Sequence, residues 1–331
     1  MPTRSGRVHV ATTQRNYKGK IYQTHLLRRT FRVGRQVKHE TLGNISHLPD
    51  SLIDIIRRFL AGETFLPVAE AFEIQQSLPH GHVQAVLGTI RQLGLDNLIS
   101  SQRCRQRDLV VAMIAERLLH PGSKLAATRS WLNTTLAEEL AVADADEDEL
   151  YQALDWLLAR QARVEKKLAR RHLSEAAVVL YDITSSYYEG HCCPLAKFGH
   201  NRDGKKDRPI FHRTADHVRA HIFLCLLAYY VEWHMRRSLA PLLFDDEQLP
   251  ADRKQRDPVA PAEPSVAARK KKQLRQTEDG LPVHSFSTLL ATLGTRCRNT
   301  CRAKSDRSGS TFQLLTAPTP LQSRASQLLG L

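Results

Sequence analysis

The sequence predicts an α+β protein, and three observations carry that prediction. Strand-like runs bounded by turn signals stand near the N-terminus, apolar residues recur at helical spacing over residues 49–172, and a β-branched, aromatic run returns at residues 178–190. With 331 residues, 42% of them hydrophobic, the chain can bury a sizeable core in two or three domains.

The first segment, residues 1–48, reads as a small basic β unit. Val8-His9-Val10-Ala11-Thr12, residues 21–32 and residues 36–42 are its strands, with residues 16–19 as the first turn and Gly34 at the second. Arg4, Arg7, Arg15, Lys18, Lys20, Arg28, Arg29, Arg32, Arg35 and Lys38 face a single acid, Glu40, so ten bases less one acid give a local net charge of +9. Such a ribbon suits a phosphate backbone, each contact steepening the salt dependence of binding by about one unit. Arg15, Lys18, Lys20, Arg28, Arg29 and Arg32 are the candidate DNA-contact residues of this unit. A solvated, curled hairpin with no ligand is the plainer alternative. The whole chain points the same way, since 48 Lys and Arg against 34 acids leave +14 and favour a polyanionic partner such as double-stranded DNA.

Residues 49–172 read as an α-helical domain, from apolar positions such as Leu52, Ile53, Ile56, Phe59 and Leu60, or Leu109, Val110, Met113, Ile114 and Leu118. Residues 108–119, the turn His120-Pro121-Gly122-Ser123 and residues 124–132 fit a helix-turn-helix in which Ser123 caps the second helix. That helix would present Lys124, Thr128 and Arg129 to a groove. Any helical hairpin with a Pro-Gly turn fits as well. Acidic residues from Glu138 to Glu149 then open a helix expected over residues 149–172, with negative charge near its positive dipole end.

A helix is expected over residues 215–239, ending before Pro241. Residues 245–280 hold no aromatics, four prolines, eight bases and eight acids, the composition of a disordered linker. A C-terminal tail, residues 281–331, has one short element expected at residues 281–297. The longest uncharged apolar run, residues 222–231, is far shorter than the roughly 20 residues that cross a bilayer, so no membrane span is expected. The basic N-terminus lacks the apolar core of a signal peptide, and six scattered cysteines suit free thiols in a reducing compartment, so a cytoplasmic location is expected. Zinc ligation by His191, Cys192 and Cys193, or by Cys297 and Cys301, lacks a second pair at the usual spacing.

Asp182 is the most informative single residue. It is the one early polar group in Val178-Val179-Leu180-Tyr181-Asp182-Ile183, and a lone charge in a buried strand needs a compensating partner, for which a cation is the obvious choice. A strand-end Asp capping a turn with Thr184 or Ser185 is the alternative. Leu180-Tyr181-Asp182-Ile183-Thr184-Ser185-Ser186-Tyr187-Tyr188-Glu189-Gly190, Cys193-Pro194-Leu195-Ala196, Gly199-His200-Asn201-Arg202-Asp203-Gly204-Lys205 and the block Arg208-Pro209-Ile210-Phe211-His212-Arg213-Thr214-Ala215-Asp216-His217 together resemble a bacterial insertion-sequence transposase of the DDE class, in its IS4-type branch.

The resemblance implies an RNase H-like fold over residues 173–244, Asp182 as first catalytic carboxylate and metal ligand, and two Mg²⁺ ions held by three carboxylates for strand cleavage and transfer. It also implies a DNA partner at the element's terminal repeats, and self-association or pairing with an intact transposase. The chain departs from the pattern where Asp207 alone separates Lys206 from Arg208-Pro209-Ile210. The strands and helix that should bear the second Asp and the Glu are missing, and neither Asp216 nor Glu232 replaces them. An internal deletion in the catalytic domain is therefore expected, leaving a truncated, catalytically defective protein. A non-enzymatic DNA-binding regulator or inhibitor of an intact transposase is the competing reading, and a basic RNA-binding or structural protein is a third.

Overall fold

The computed structural model describes residues 6–65, 67, 71–173, 195, 212, 214–247, 264–277, 279–304 and 309–331. Asp182, the strand expected around it, His191, Cys192, Cys193 and most of the transposase-like motif residues, apart from Leu195, His212 and Thr214 to His217, lie outside the described residues. The described chain is α+β, as the sequence predicts, and divides into two compact units.

The first unit comprises Met1–Glu73 with Ala303–Ser310. It contains β1 (Arg7–Tyr17), β2 (Lys20–Val33) and β3 (Gln36–Asn44) in a three-stranded antiparallel sheet of order β1-β2-β3, followed by helix α1 (Asp50–Leu60). Both hairpins turn where the sequence places them. Lys18 and Gly19 have φ of 52° and 76°, the two left-handed positions of a type I′ turn, whose twist matches the flanking strands, and Gly34 has φ 62°. The strands run further than the sequence predicts, because a regular register from Arg7↔Thr30 to Tyr17↔Lys20 continues the pairing to the turn itself. A bulge between Leu27 and Arg28 interrupts only the β2–β3 pairing. Helix α1 packs on β1 and buries Ile53.

The second unit, Ile74–Arg302 with Thr311–Leu331, holds the hydrophobic core. Its helices are α2 (Gly81–Gln92), α3 (Leu95–Ile99), α4 (Arg105–Leu119), α5 (Lys124–Ser130), α6 (Leu136–Leu140), α7 (Glu147–Leu158), α8 (Gln161–His172), α9 (Ala215–Leu239), α10 (Val266–Leu274), α11 (Phe286–Gly294) and α12 (Pro320–Leu329). Helix α4 buries residues all round, from Leu109 to Ala115, and packs between α7 and α9. Trp131, just after α5, is fully buried.

Four features depart from the sequence prediction. The stretch read as wholly helical contains strand β4 (Phe72–Pro79), which joins β5 (Cys297–Ala303) and β6 (Thr311–Leu315) in a second sheet of order β4-β5-β6. The single helix expected over residues 149–172 is two: Asp146 caps α7 by accepting from the Glu149 N–H at 2.8 Å, and the chain breaks at Ala159 and Arg160 before α8. Order enters the stretch read as a linker, where Ser265 caps α10. The tail gains β5, β6 and α12, the last closed by a capping box between Thr319 and Gln322. Helix α9, by contrast, has the predicted bounds, with Thr214 as its cap.

Helix α9 is not the fully buried helix its apolar run suggests. Phe223, Leu224, Leu227 and Val231 are buried, while Ile222, Leu226, Tyr229 and Trp233 are exposed in a stripe at four-three-four spacing. Among the described residues no helix is long and apolar enough to cross a membrane.

Candidate nucleic-acid interface

Strand alternation sorts the N-terminal sheet into two faces of opposite character. Because paired residues share a face, the β1–β2 register places Val8, Val10, Thr12, Gln14 and Asn16 with Ile21, Gln23, His25, Leu27 and Arg29 on one side. Phe31 and Lys38 join that side through β2 and β3. It is the side that meets α1. The Arg57 guanidinium donates to Thr12 Oγ1 at 2.5 Å and to His25 Nδ1 at 3.3 Å, and Thr12 Oγ1 lies 2.9 Å from the same nitrogen. Arginine can only donate, so Nδ1 is an acceptor and the His25 proton sits on Nε2, which lies 3.9 Å from Asp50. The His25 N–H donates to Ser46 Oγ at 2.7 Å, tying β2 to the chain that leads into α1. His25 and Ile53 are the buried residues of this unit among those described.

The opposite face carries the cations. Arg7, His9 and Arg15 of β1 share it with Lys20, Arg28 and Arg32 of β2 and with His39 and Thr41 of β3. His9 and His39 meet edge to face across β2, with ring centroids 6.4 Å apart, and Thr30 Oγ1 lies 3.0 Å from His39 Nδ1, which fixes the facing of all three strands. No acid lies on this face among the described residues. Glu40, the one acid of the sheet, points to the helix-covered side and sits 3.8 Å from Arg29. Arg7, Arg15, Lys20 and Arg32 are exposed. Arg28 is half-buried at the centre, and its Nε has no hydrogen-bond partner in the described structure. Five Arg and Lys thus stand together on an open face, the arrangement that attracts a polyanion.

Of the sequence-predicted residues, the sheet brings together Arg15, Lys20, Arg28 and Arg32. It places Lys18 in the tip turn and Arg29 on the other face, engaged with Glu40. Arg7, His9 and His39 join the group, though they were not among the candidates. Their signal was the parity of the strands, readable once the turn at residues 18 and 19 fixes the register.

The helical hairpin is a different matter. Ser123 caps α5 as predicted, accepting from the Ala126 N–H at 3.1 Å. Helix α5 is only seven residues long, and its Arg129 is exposed among the apolar neighbours Leu125 and Leu132. Lys124 is a correction to the sequence reading, because it is 9% exposed and packed inward. A buried ammonium cannot be presented to a DNA groove. Burial pulls its pKa down to about 8, and it lies in a cluster with His212 and His221, whose burial, reinforced by the Lys124 charge, lowers them to about 4 and about 3. His221 Nε2 is 3.6 Å from Cys225 Sγ. Nearby, Glu116 accepts from the Ser130 hydroxyl, and burial raises its pKa.

A cavity of about 230 Å³ opens among α2, α4 and α6, lined by Arg91, Arg103 and Arg107 and by Asp96, Asp108 and Glu139. Its three bases are matched by three acids, so it has no net pull on an anion. Among the described residues no group of three or more His, Cys, Asp and Glu side chains could hold a metal ion. Cys297 and Cys301 lie four residues apart on β5, about 13 Å along a strand, too far to share one zinc ion.

Comparison with known families bears on the same segment. Residues 10–67 match the family model described as the N-terminal domain of IS1634 family transposases. The match relates this part of the chain to the transposases of insertion sequences, and the matched span runs from within β1 through α1, the basic sheet and the helix that covers its other face. The family named is IS1634, and the match, confined to residues 10–67, does not reach residues 180–217, which carry the resemblance to the IS4-type branch. No curated protein and no solved structure gives a match to the chain.

Proposed function

We propose that this insertion-sequence transposase-related chain binds the terminal DNA of its element through the N-terminal sheet and is catalytically defective. One observation carries the DNA-binding part: the span related to transposases includes the sheet that gathers Arg15, Lys20, Arg28 and Arg32 on an open face and leaves the sheet's one acid, Glu40, on the covered one. Phosphate contacts made by such a face give sequence-independent affinity that falls steeply with salt. The catalytic part rests on the sequence. Asp182 resembles the first carboxylate of a DDE site in an RNase H-like domain, and the partners that would help it fix two Mg²⁺ ions are missing from the chain.

Purified protein is expected to shift duplex DNA in a gel at low salt and to show no Mg²⁺-dependent strand cleavage or transfer. Reproducible cleavage that is lost in Asp182→Ala would overturn the catalytic defect. Failure to bind duplex DNA at low salt would remove the DNA-binding function.

The exposed stripe Ile222, Leu226, Tyr229 and Trp233 on α9 favours a second reading, in which the chain regulates an intact transposase by pairing with it. Co-expression with an intact relative should then lower the transposition frequency. An unchanged frequency leaves only the defective binder.

A further inference from the structure

We infer that the two-stranded part of the N-terminal sheet, residues 12–25, enters the major groove of duplex DNA with the Arg15 and Lys20 face toward the bases. This rests on the proposed DNA binding and adds to it the element, the groove and the face.

Strand β3 pairs with β2 only over residues 26–33, so residues 12–17 and 20–25 form a ribbon of two strands that continues beyond the three-stranded sheet. Six residues per strand make it about 20 Å long. All of residues 12–23 are exposed, on both faces. Such a ribbon is marginal in water by itself, and this one displays Tyr17, Ile21 and Tyr22 at 56%, 67% and 54% exposure. Large apolar and aromatic groups held in the open on a thin element mark a surface that a partner covers.

Charge identifies the partner. Arg15, Lys18 and Lys20 are the charged residues of the ribbon, with no acid among residues 12–25. Cross-strand pairing sets Arg15 opposite Tyr22 and Lys20 opposite Tyr17 on the face that continues into His9, Arg28 and Arg32. The reverse face carries Gln14 opposite Gln23 and continues into the side that α1 covers. Only the first face can therefore lie on DNA along its whole length.

The groove follows from size. Strands spaced about 4.8 Å apart, with side chains on both flanks, fit a major groove about 12 Å wide and not a minor groove about 6 Å wide. There Arg15 and Lys20 reach guanine O6 and N7, and the tyrosine rings meet thymine methyls. Arg7, Arg28 and Arg32, on the same face of the three-stranded part, lie over the flanking phosphates.

The test uses the full chain and a mixed-sequence DNA duplex, read by fluorescence anisotropy. R15A/K20A should weaken binding about tenfold or more, whereas Q14A/Q23A on the reverse face should stay within about twofold. Methylation of guanine N7 in the probe should interfere with the unaltered chain. Netropsin, which fills the minor groove, should not displace it, and duplex RNA, with its deep and narrow major groove, should compete poorly.

Larger damage from Q14A/Q23A, displacement by netropsin without N7 interference, or equal competition by duplex RNA would overturn the inference while leaving DNA binding intact. No binding of the unaltered chain to duplex DNA would remove both. The four positions are exposed, so the variants should keep the parent's circular dichroism, and the N7 and netropsin arms need no substitution.

Discussion

The two units of this chain are built on opposite economies of burial. The helical unit withdraws long runs of side chains from water, with α4 buried from Arg107 to Glu116 and Trp131, Leu136, Leu150, Leu154 and Leu157 fully enclosed. In the N-terminal unit, His25 and Ile53 are the buried residues among those described, and order comes from backbone pairing and from the hydrogen bonds that gather Thr12, Arg57 and Ser46 around His25. Hydrophobic burial dominates the stability of a domain. The difference teaches that the sheet owes its side-chain chemistry to its surface, while the helical unit owes its own to packing.

The sharpest way to break that contrast is to empty each unit at its centre. Trp131→Ala should cost about 3–5 kcal/mol by the loss of a fully buried indole, seen as a lower thermal midpoint of the helical signal in circular dichroism. A loss under about 1 kcal/mol would mean that the helical core is not the close-packed interior described. Ile53→Ala should cost less, about 2 kcal/mol, because half-buried neighbours can close over the gap. Hydrogen exchange of the β1 and β2 amides would report it, and unchanged protection would show that α1 does not hold the sheet.

The smallest effect should appear with pH and belongs to the helical unit. His212 and His221 are held at about 4 and about 3, below the ordinary 6.5, chiefly by burial. A depressed value means that the unfolded chain takes up protons first. Their contribution is therefore full above about pH 6.5 and is lost as pH falls through 4 toward 3. Partial exposure to water tempers the size. Thermal midpoints of the parent should fall between pH 7 and pH 4, and the H212Q/H221Q double variant should show a shallower fall; equal slopes would remove these histidines as the cause.

What was legible in the sequence divides along the same line. The N-terminal strands and both turns were readable because strand-like runs and the turn residues at 16–19 and Gly34 are local signals, and the bounds of α9 were readable from Thr214 at its start and Pro241 after its end. The faces of the sheet were readable in principle, since a two-residue turn fixes the register of every pair behind it. The second sheet was not. Strand β5 is mostly polar, Cys297-Arg298-Asn299-Thr300-Cys301, and its neighbour β4 lies more than two hundred residues earlier, so no local pattern announces the pairing. Lys124 was misread because a lysine at the first position of a helix looks solvent-bound until the packing of α4, α5 and α9 is known.

That distant pairing sets a constraint on how the protein is made. The N–H groups of His80 and Gly81, at the start of α2, both donate to the Arg296 carbonyl at 2.9 Å, and Arg296 Nη1 reaches Gln84 at 3.2 Å. The first helix of the second unit therefore has no finished N-terminus until the ribosome has delivered residue 296. At roughly 5–20 residues per second, that leaves the nascent helix waiting on the order of ten seconds or more with the side that packs on α11 and α12 uncovered, the interval in which a chaperone would find it.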